Sequence, residues 1–176
     1  LEVSAVRLYH DNVLAKQSGC GRTPWHFDDH HFPLDTNDVV TAWAPAQPTP
    51  IEMGPLSFAY PLDVHELIKD VTFEKTGTGY DREVSNIFSK NNVSVNATPF
   101  ELGEVSFHHN LNFHTASSNR TNCSRIALAN TYYRDGARVI NSPTMVSGDW
   151  QKFMPNVKPW FDIGHKFLPV TRDHSG

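Results

Sequence analysis

Residues 104–114 read EVSFHHNLNFH. Taken by alternate positions, the even set is Glu104, Ser106, His108, Asn110, Asn112 and His114. The odd set is Val105, Phe107, His109, Leu111 and Phe113. Successive side chains of a strand turn to opposite faces. The segment therefore presents one mainly apolar face and one face that is polar throughout. Two arrangements accommodate it: a sheet with one face in water, or a closed β structure whose polar face lines an internal pocket. Residues 117–122 form a polar turn, with Asn119 and Arg120 at its midpoint. A hairpin symmetrical about that point sets His114 opposite Arg125, with Cβ atoms roughly 5 Å apart. Such neighbours repel if both are charged. They are compatible if the imidazole is neutral and metal-bound and the guanidinium holds an anion.

The surrounding chain is built of short β-rich segments with frequent breaks. Residues 3–16, 25–29, 38–44, 56–60, 101–114 and 124–133 read as strands. Residues 63–69 (DVHELIK) are the best helix candidate, with Asp63 at the N-cap. Residues 45–55 hold four prolines and are irregular. Residues 76–80 and 85–98 are polar and read as surface loops. After residue 141 the chain is irregular, with Pro143, Pro155, Pro159 and Pro169. Many short strands and little helix suit a mainly β sandwich or jelly roll with a few peripheral helices.

Composition narrows the function. The 176 residues suffice for one domain with its own core. The chain opens inside a strand, so the expectation is a single domain over 1–176 that lacks an N-terminal segment. Net charge is −4, with no basic stripe, which excludes a sequence-independent nucleic-acid binder. No apolar run approaches the roughly 18 residues of a membrane span. The first residues, LEVSAVRLYH, lack the basic start and apolar block of a signal peptide. Cys20 and Cys123 read as free thiols of a reducing compartment, with one bridge between them as the alternative, and the expected location is cytoplasmic. Four glycosylation sequons, at Asn92, Asn96, Asn119 and Asn122, read as accidental in Asn/Ser-rich loops. Ten histidines, several clustered, point to metal chemistry.

The sequence Trp25-His26-Phe27-Asp28 supplies an imidazole and a carboxylate two positions apart. On a strand both project to one side, about 6.6 Å apart. With His114 they make a two-histidine, one-carboxylate set that leaves three positions open on a non-haem Fe(II). Mn(II), Co(II) and Zn(II) also suit these donors. His30, His31, His108 and His109 are not assigned to the metal; each reads as a surface or satisfied histidine. Asp29 faces away from the pair. Lys16 reads as a solvated lysine at a strand end.

Two blocks of the sequence resemble the phytanoyl-CoA dioxygenase family of Fe(II)/2-oxoglutarate oxygenases. The first is Thr23-Pro24-Trp25-His26-Phe27-Asp28, followed by Asp38-Val39-Val40-Thr41-Ala42-Trp43 and Met53-Gly54-Pro55-Leu56. It is similar to the family run T-x-W-H-Q-D, v-x-x-W, N-G-x-L. The second is Gly103-Glu104-Val105, followed by His114, Asn119 and Arg125. The resemblance implies a double-stranded β-helix, or jelly roll. It implies His26, Asp28 and His114 as iron ligands and Arg125 as the clamp on the distal carboxylate of 2-oxoglutarate. Arg suits that task because its fork is always charged and bidentate. Trp43 would line the co-substrate pocket. Three departures mark the chain. Phe27 stands where the family has Gln. Ala116 replaces a serine, with Thr115 or Ser117 as substitutes. Tyr60-Pro61-Leu62-Asp63 replaces the usual turn.

The expected activity is hydroxylation of an unactivated C–H of a small-molecule substrate, using Fe(II), 2-oxoglutarate and O2 and releasing succinate and CO2. Two other readings use the same residues. One is a cupin-like metalloenzyme that works without 2-oxoglutarate, with Arg125 on the substrate's own carboxylate. The other is a non-catalytic β-sandwich with a structural Zn site, which would need a fourth ligand.

Overall fold

A computed structural model describes residues 1–76, 78–141, 154, 158–160 and 170–173. The strands are β1 (Ala5–Lys16), β2 (Thr23–His26), β3 (Val39–Pro45), β4 (Leu56–Tyr60), β5 (Ser94–Ala97), β6 (Ser106–His109), β7 (His114–Ala116), β8 (Arg125–Arg134) and β9 (Val170–Asp173). Two helices, α1 (Val64–Ile68) and α2 (Gly79–Asn91), follow β4. The strands form a five-stranded sheet in the order β6-β3-β8-β1-β9 and a four-stranded sheet in the order β2-β7-β4-β5. Every pairing is antiparallel. One apolar cluster joins Trp43, Ala127 and Ala129 of the first sheet to Leu56 and Ala116 of the second, so the sheets pack face to face as a jelly roll.

Alternation explains which residues face inward. Along β3, Val39, Thr41, Trp43 and Pro45 are buried; along β8, Arg125, Ala127, Ala129, Thr131 and Tyr133 are. The inner face is layered as a result. Val39 and Tyr133 join Phe32, Leu34, Ala137 and Val139 in an apolar cluster at one end. Trp43, Ala127 and Ala129 belong to the cluster at the other. Thr41 and Thr131 lie between them. A polar layer is thus set into the sheet between two apolar ones, and the candidate site lies in it. A third cluster, Phe27, Ala59, Val64, Ile68, Tyr80, Val84 and Phe113, joins the helices to the smaller sheet. Burying Phe113 alone contributes roughly 1.5–3 kcal/mol.

The segment at 104–114 is not one strand. It runs as β6 in the larger sheet, turns at residues 110–113, and resumes as β7 in the smaller one. Asn110 explains the break. Its backbone N–H bonds the Val39 carbonyl at 3.0 Å, and its carboxamide donates to Asp29 Oδ1 at 3.1 Å. Within β6 the polar position is the inner one, with His108 buried and Phe107 72% exposed, whereas beyond the turn both Phe113 and His114 are buried.

Residues 79–91 and 94–97 are also not loops. Their polar composition masks a helical stripe of Tyr80, Val84, Ile87 and Phe88, which packs into the third cluster. Residues 25–29 are not wholly strand either. β2 ends at His26, and Asp28–His31 form a 3-10 turn. The helix expected at 63–69 forms over Val64–Ile68, with Asp63 at the N-cap but making no side-chain cap bond. Among the described residues no helix is long and apolar enough to cross a membrane.

Candidate metal centre and anion site

His26 and His114 are paired across β2 and β7, with ring centroids 4.2 Å apart. The same device holds both rings. Nδ1 of each faces the carbonyl two residues earlier in the chain, Pro24 for His26 and Asn112 for His114, both at 2.8 Å. A carbonyl only accepts, so Nδ1 carries the proton and Nε2 keeps its lone pair. Asp28 Oδ1 lies 3.7 Å from each of these Nε2 atoms. One donor atom from each residue fits within a span of 4.8 Å, as a single metal ion requires. The His-x-Asp spacing works, although Asp28 reaches the site from the start of a 3-10 turn and not from a strand.

Electrostatics keep His114 and Asp28 in ligand form. Burial, with help from His26, pulls the His114 pKa down to about 3, so its ring is neutral at physiological pH. Burial pushes Asp28 up, but His114, His108 and His26 outweigh it and hold the carboxyl well below its usual range. The fold thus presents a neutral His114 imidazole and an ionised Asp28 carboxylate, beside a His26 ring whose Nε2 lone pair is left free by the Nδ1 contact.

Arg125 is not opposite His114. It pairs with Lys16 across β1 and β8, because the chain crosses from one sheet to the other between residues 117 and 124. Buried Asn119 ties that crossover together. Its amide donates to the Lys16 and Cys123 carbonyls, and its Oδ1 accepts from the Thr121 N–H and hydroxyl. The Arg125 Cζ stands 5.3 Å from the centroid of the Trp43 ring, in a cation–π arrangement. Nη1 donates to the Gly54 carbonyl. Arg125 Nε and Trp43 Nε1 are both buried and have no hydrogen-bond partner among the described residues. Two neighbouring buried donors without an acceptor suit an anion.

Lys16 is 6% exposed, not solvated. Its ammonium donates to the carbonyls of Gly21, Ala116 and Ser117 at 3.0, 3.2 and 2.7 Å, which uses its three donors. Burial and the adjacent Arg125 charge draw its pKa down to about 8. The Thr115 hydroxyl donates to the Thr23 carbonyl, and the Ser117 carbonyl is one of the acceptors for Lys16. Phe27 lies in the third apolar cluster. Asp29 accepts from Asn110, and burial raises its pKa.

The sequence reading passed over two residues at the site. Thr41 Oγ1 donates to Asp28 Oδ2 at 3.1 Å, and the Nε2 of buried His108 lies 3.6 Å from the same oxygen. For His108 the signal was present in the alternation with exposed Phe107 within β6.

The phytanoyl-CoA dioxygenase (PhyH) family model matches residues 2–127. No curated protein matches the chain. Among solved structures, the non-heme alpha ketoglutarate dependent carbocyclase SnoK from nogalamycin biosynthesis is 22% identical with a TM-score of 0.75. That alignment covers 96% of this chain and 63% of SnoK. The epimerase SnoN in complex with Fe3+, alpha ketoglutarate and nogalamycin RO is 22% identical with a TM-score of 0.72, covering 96% of this chain and 66% of SnoN. The nickel complex of the non-heme monooxygenase ThoJ is 18% identical with a TM-score of 0.55, covering 80% and 48%. The chain thus spans just under two thirds of the length of SnoK and SnoN. The family match takes in β1 to β7 with His26, Asp28 and His114, and it reaches Arg125. The chain belongs to the phytanoyl-CoA dioxygenase family.

Proposed function

We propose that the protein is an Fe(II)/2-oxoglutarate-dependent oxygenase that hydroxylates an unactivated C–H bond of a small-molecule substrate. One observation carries the reading: a compact His26, Asp28, His114 donor set shares the barrel with a buried arginine and tryptophan whose Nε and Nε1 donors have no acceptor among the described residues. The donor set suits Fe(II) and leaves three positions open. The unpaired Arg125 and Trp43 donors suit the distal carboxylate of 2-oxoglutarate.

Bound iron supplies the redox centre at which O2 and 2-oxoglutarate are consumed, one oxygen atom entering succinate and the other the substrate C–H, with loss of CO2. The protein's own residues do the rest. The Pro24 and Asn112 carbonyls fix the tautomers of His26 and His114. Arg125 is anchored by Gly54 and braced on Trp43, so one end of the co-substrate is held. The apolar clusters on either side of the polar layer exclude water. The free thiols Cys20 and Cys123 are exposed, in keeping with a cytoplasmic protein. SnoK and SnoN are named as a carbocyclase and an epimerase, so product analysis distinguishes an added oxygen from ring closure or inversion.

The test is formation of succinate and CO2 from 2-oxoglutarate by Fe(II)-loaded protein in air, alongside Arg125→Ala. Turnover by wild type and a large rise in the 2-oxoglutarate requirement of the variant are expected. Metal-loaded wild type that leaves 2-oxoglutarate untouched overturns the reading.

A further inference from the structure

The two oxygens of Asp28 face different partners. Oδ1 looks towards His26 and His114, at 3.7 Å from each. Oδ2 looks towards the larger sheet, where Thr41 Oγ1 lies at 3.1 Å and His108 Nε2 at 3.6 Å. These last two residues belong to one row. His108, Thr41 and Thr131 are direct neighbours in register across β6, β3 and β8, and they are 3%, 5% and 2% exposed. Thr41 gives its single proton to Asp28, so the 3.1 Å contact between Thr41 and Thr131 has Thr131 as donor. The hydroxyls therefore form a chain of one polarity ending on Oδ2.

His108 differs from the other two imidazoles in its Nδ1 partner. His26 and His114 present Nδ1 to carbonyls, which leaves Nε2 as a lone pair. His108 Nδ1 faces the Ser106 hydroxyl at 3.5 Å. A hydroxyl can donate to that nitrogen, leaving the proton on Nε2, the atom turned towards the carboxylate. Three histidines thus surround one aspartate: His26 and His114 with Nε2 lone pairs free for a metal, and His108 with Nε2 3.6 Å from Oδ2 and able to carry the proton there.

We propose that His108 is a positioning residue. Together with Thr41 it holds Oδ2 away from the metal, so that Asp28 binds through Oδ1 alone and three coordination positions stay open. Without that hold the carboxylate rotates, takes the metal with both oxygens and closes one of those positions. The inference rests on the metal-centre reading above. A metal-bound carboxylate held by outer hydrogen bonds is a common device, and losing such a partner costs about 10- to 100-fold in metal affinity or activity.

The experiment uses Co(II) as the probe with wild type, His108→Leu, His108→Gln and Thr41→Val. Affinity and the visible ligand-field spectrum are measured, with circular dichroism to verify folding. In His108→Leu, Co(II) affinity should fall roughly 10- to 100-fold and the spectrum should change as the carboxylate becomes bidentate. Thr41→Val should move both in the same direction. His108→Gln keeps an N–H donor on a side chain of similar reach and should restore the wild-type spectrum. A folded His108→Leu with wild-type affinity and spectrum overturns the inference and leaves the metal centre standing. So does His108→Gln behaving like His108→Leu. Wild type that binds no Co(II) overturns the metal centre itself, and this inference with it.

Discussion

Substituting Gly54 by alanine tests the link between the backbone and the anion site. Gly54 ends the 3-10 turn Ile51–Met53 with φ 74°. Its carbonyl accepts from Arg125. A Cβ there would penetrate the Ser117 carbonyl oxygen, and would lie 3.0 Å from Ser117 C and 3.3 Å from Ser118 O. All three are backbone atoms, so no side chain can swing aside. Gly19 is the control, with φ 71° and nothing within 4 Å of an added methyl group. Each substitution carries the left-handed penalty of roughly 1–2 kcal/mol. Gly54→Ala adds overpacking, which typically costs about 1–3 kcal/mol. Urea unfolding should show Gly54→Ala less stable than Gly19→Ala by that second amount. In melting temperature the difference corresponds to ~2–4 °C per kcal/mol for a chain of this size. The forced shift also moves the Gly54 carbonyl. The affinity of metal-loaded Gly54→Ala for 2-oxoglutarate should fall more than its Co(II) affinity, since the Gly54 carbonyl holds Arg125 and none of the three metal donors. Equal destabilisation by the two substitutions would refute the reasoning, as would loss of metal binding with retention of 2-oxoglutarate.

Three other outcomes are expected. Lys16→Met leaves the Gly21, Ala116 and Ser117 carbonyls without their donor and should cost ~1–3 kcal/mol in urea unfolding; an unchanged midpoint would contradict the bonding described. The metal-free protein should lose stability as pH falls from about 6.5 towards 4. Burial lowers the folded pKa of His114 to about 3 and of His31 to about 4, so over that window the unfolded chain binds more protons and acid favours it; a flat stability profile from neutral pH to 4 would refute this. Co(II) at 100 times its dissociation constant should raise stability by ~2.7 kcal/mol. His26→Ala should abolish that increment, and a variant stabilised as much as wild type would remove His26 from the site.

Much of the site was legible because strands encode facing through parity. Parity holds within β6, where His108 is buried and Phe107 is exposed, but it does not carry through the turn to His114, which lies in the other sheet next to a buried Phe113. The His26–Asp28 spacing was also informative, although its supposed geometry was not the real one. A strand would separate the two side chains; the 3-10 turn after Phe27 instead folds Asp28 back beside His26. The placement of Arg125 was misread for a topological reason. Adjacent β segments joined by a short polar turn look like a hairpin, and only the sheet order reveals that residues 117–124 cross between sheets. Lys16 was misread because burial of a lysine depends on carbonyls about 100 residues away in sequence, Ala116 and Ser117. The helix at Gly79–Asn91 was hidden by its polar residues: its apolar stripe is only four side chains wide, and the cluster that receives it is formed by distant segments.

The measurement that bears most directly on the central claim is anaerobic titration of the Fe(II) protein with 2-oxoglutarate, followed by visible absorption. Chelation of iron by the keto acid at a site with open positions gives a charge-transfer band. The band should appear in wild type, vanish in His26→Ala and weaken in Arg125→Ala. Iron binding with no band at saturating 2-oxoglutarate would contradict the claim, and would assign Arg125 to a carboxylate of the substrate instead.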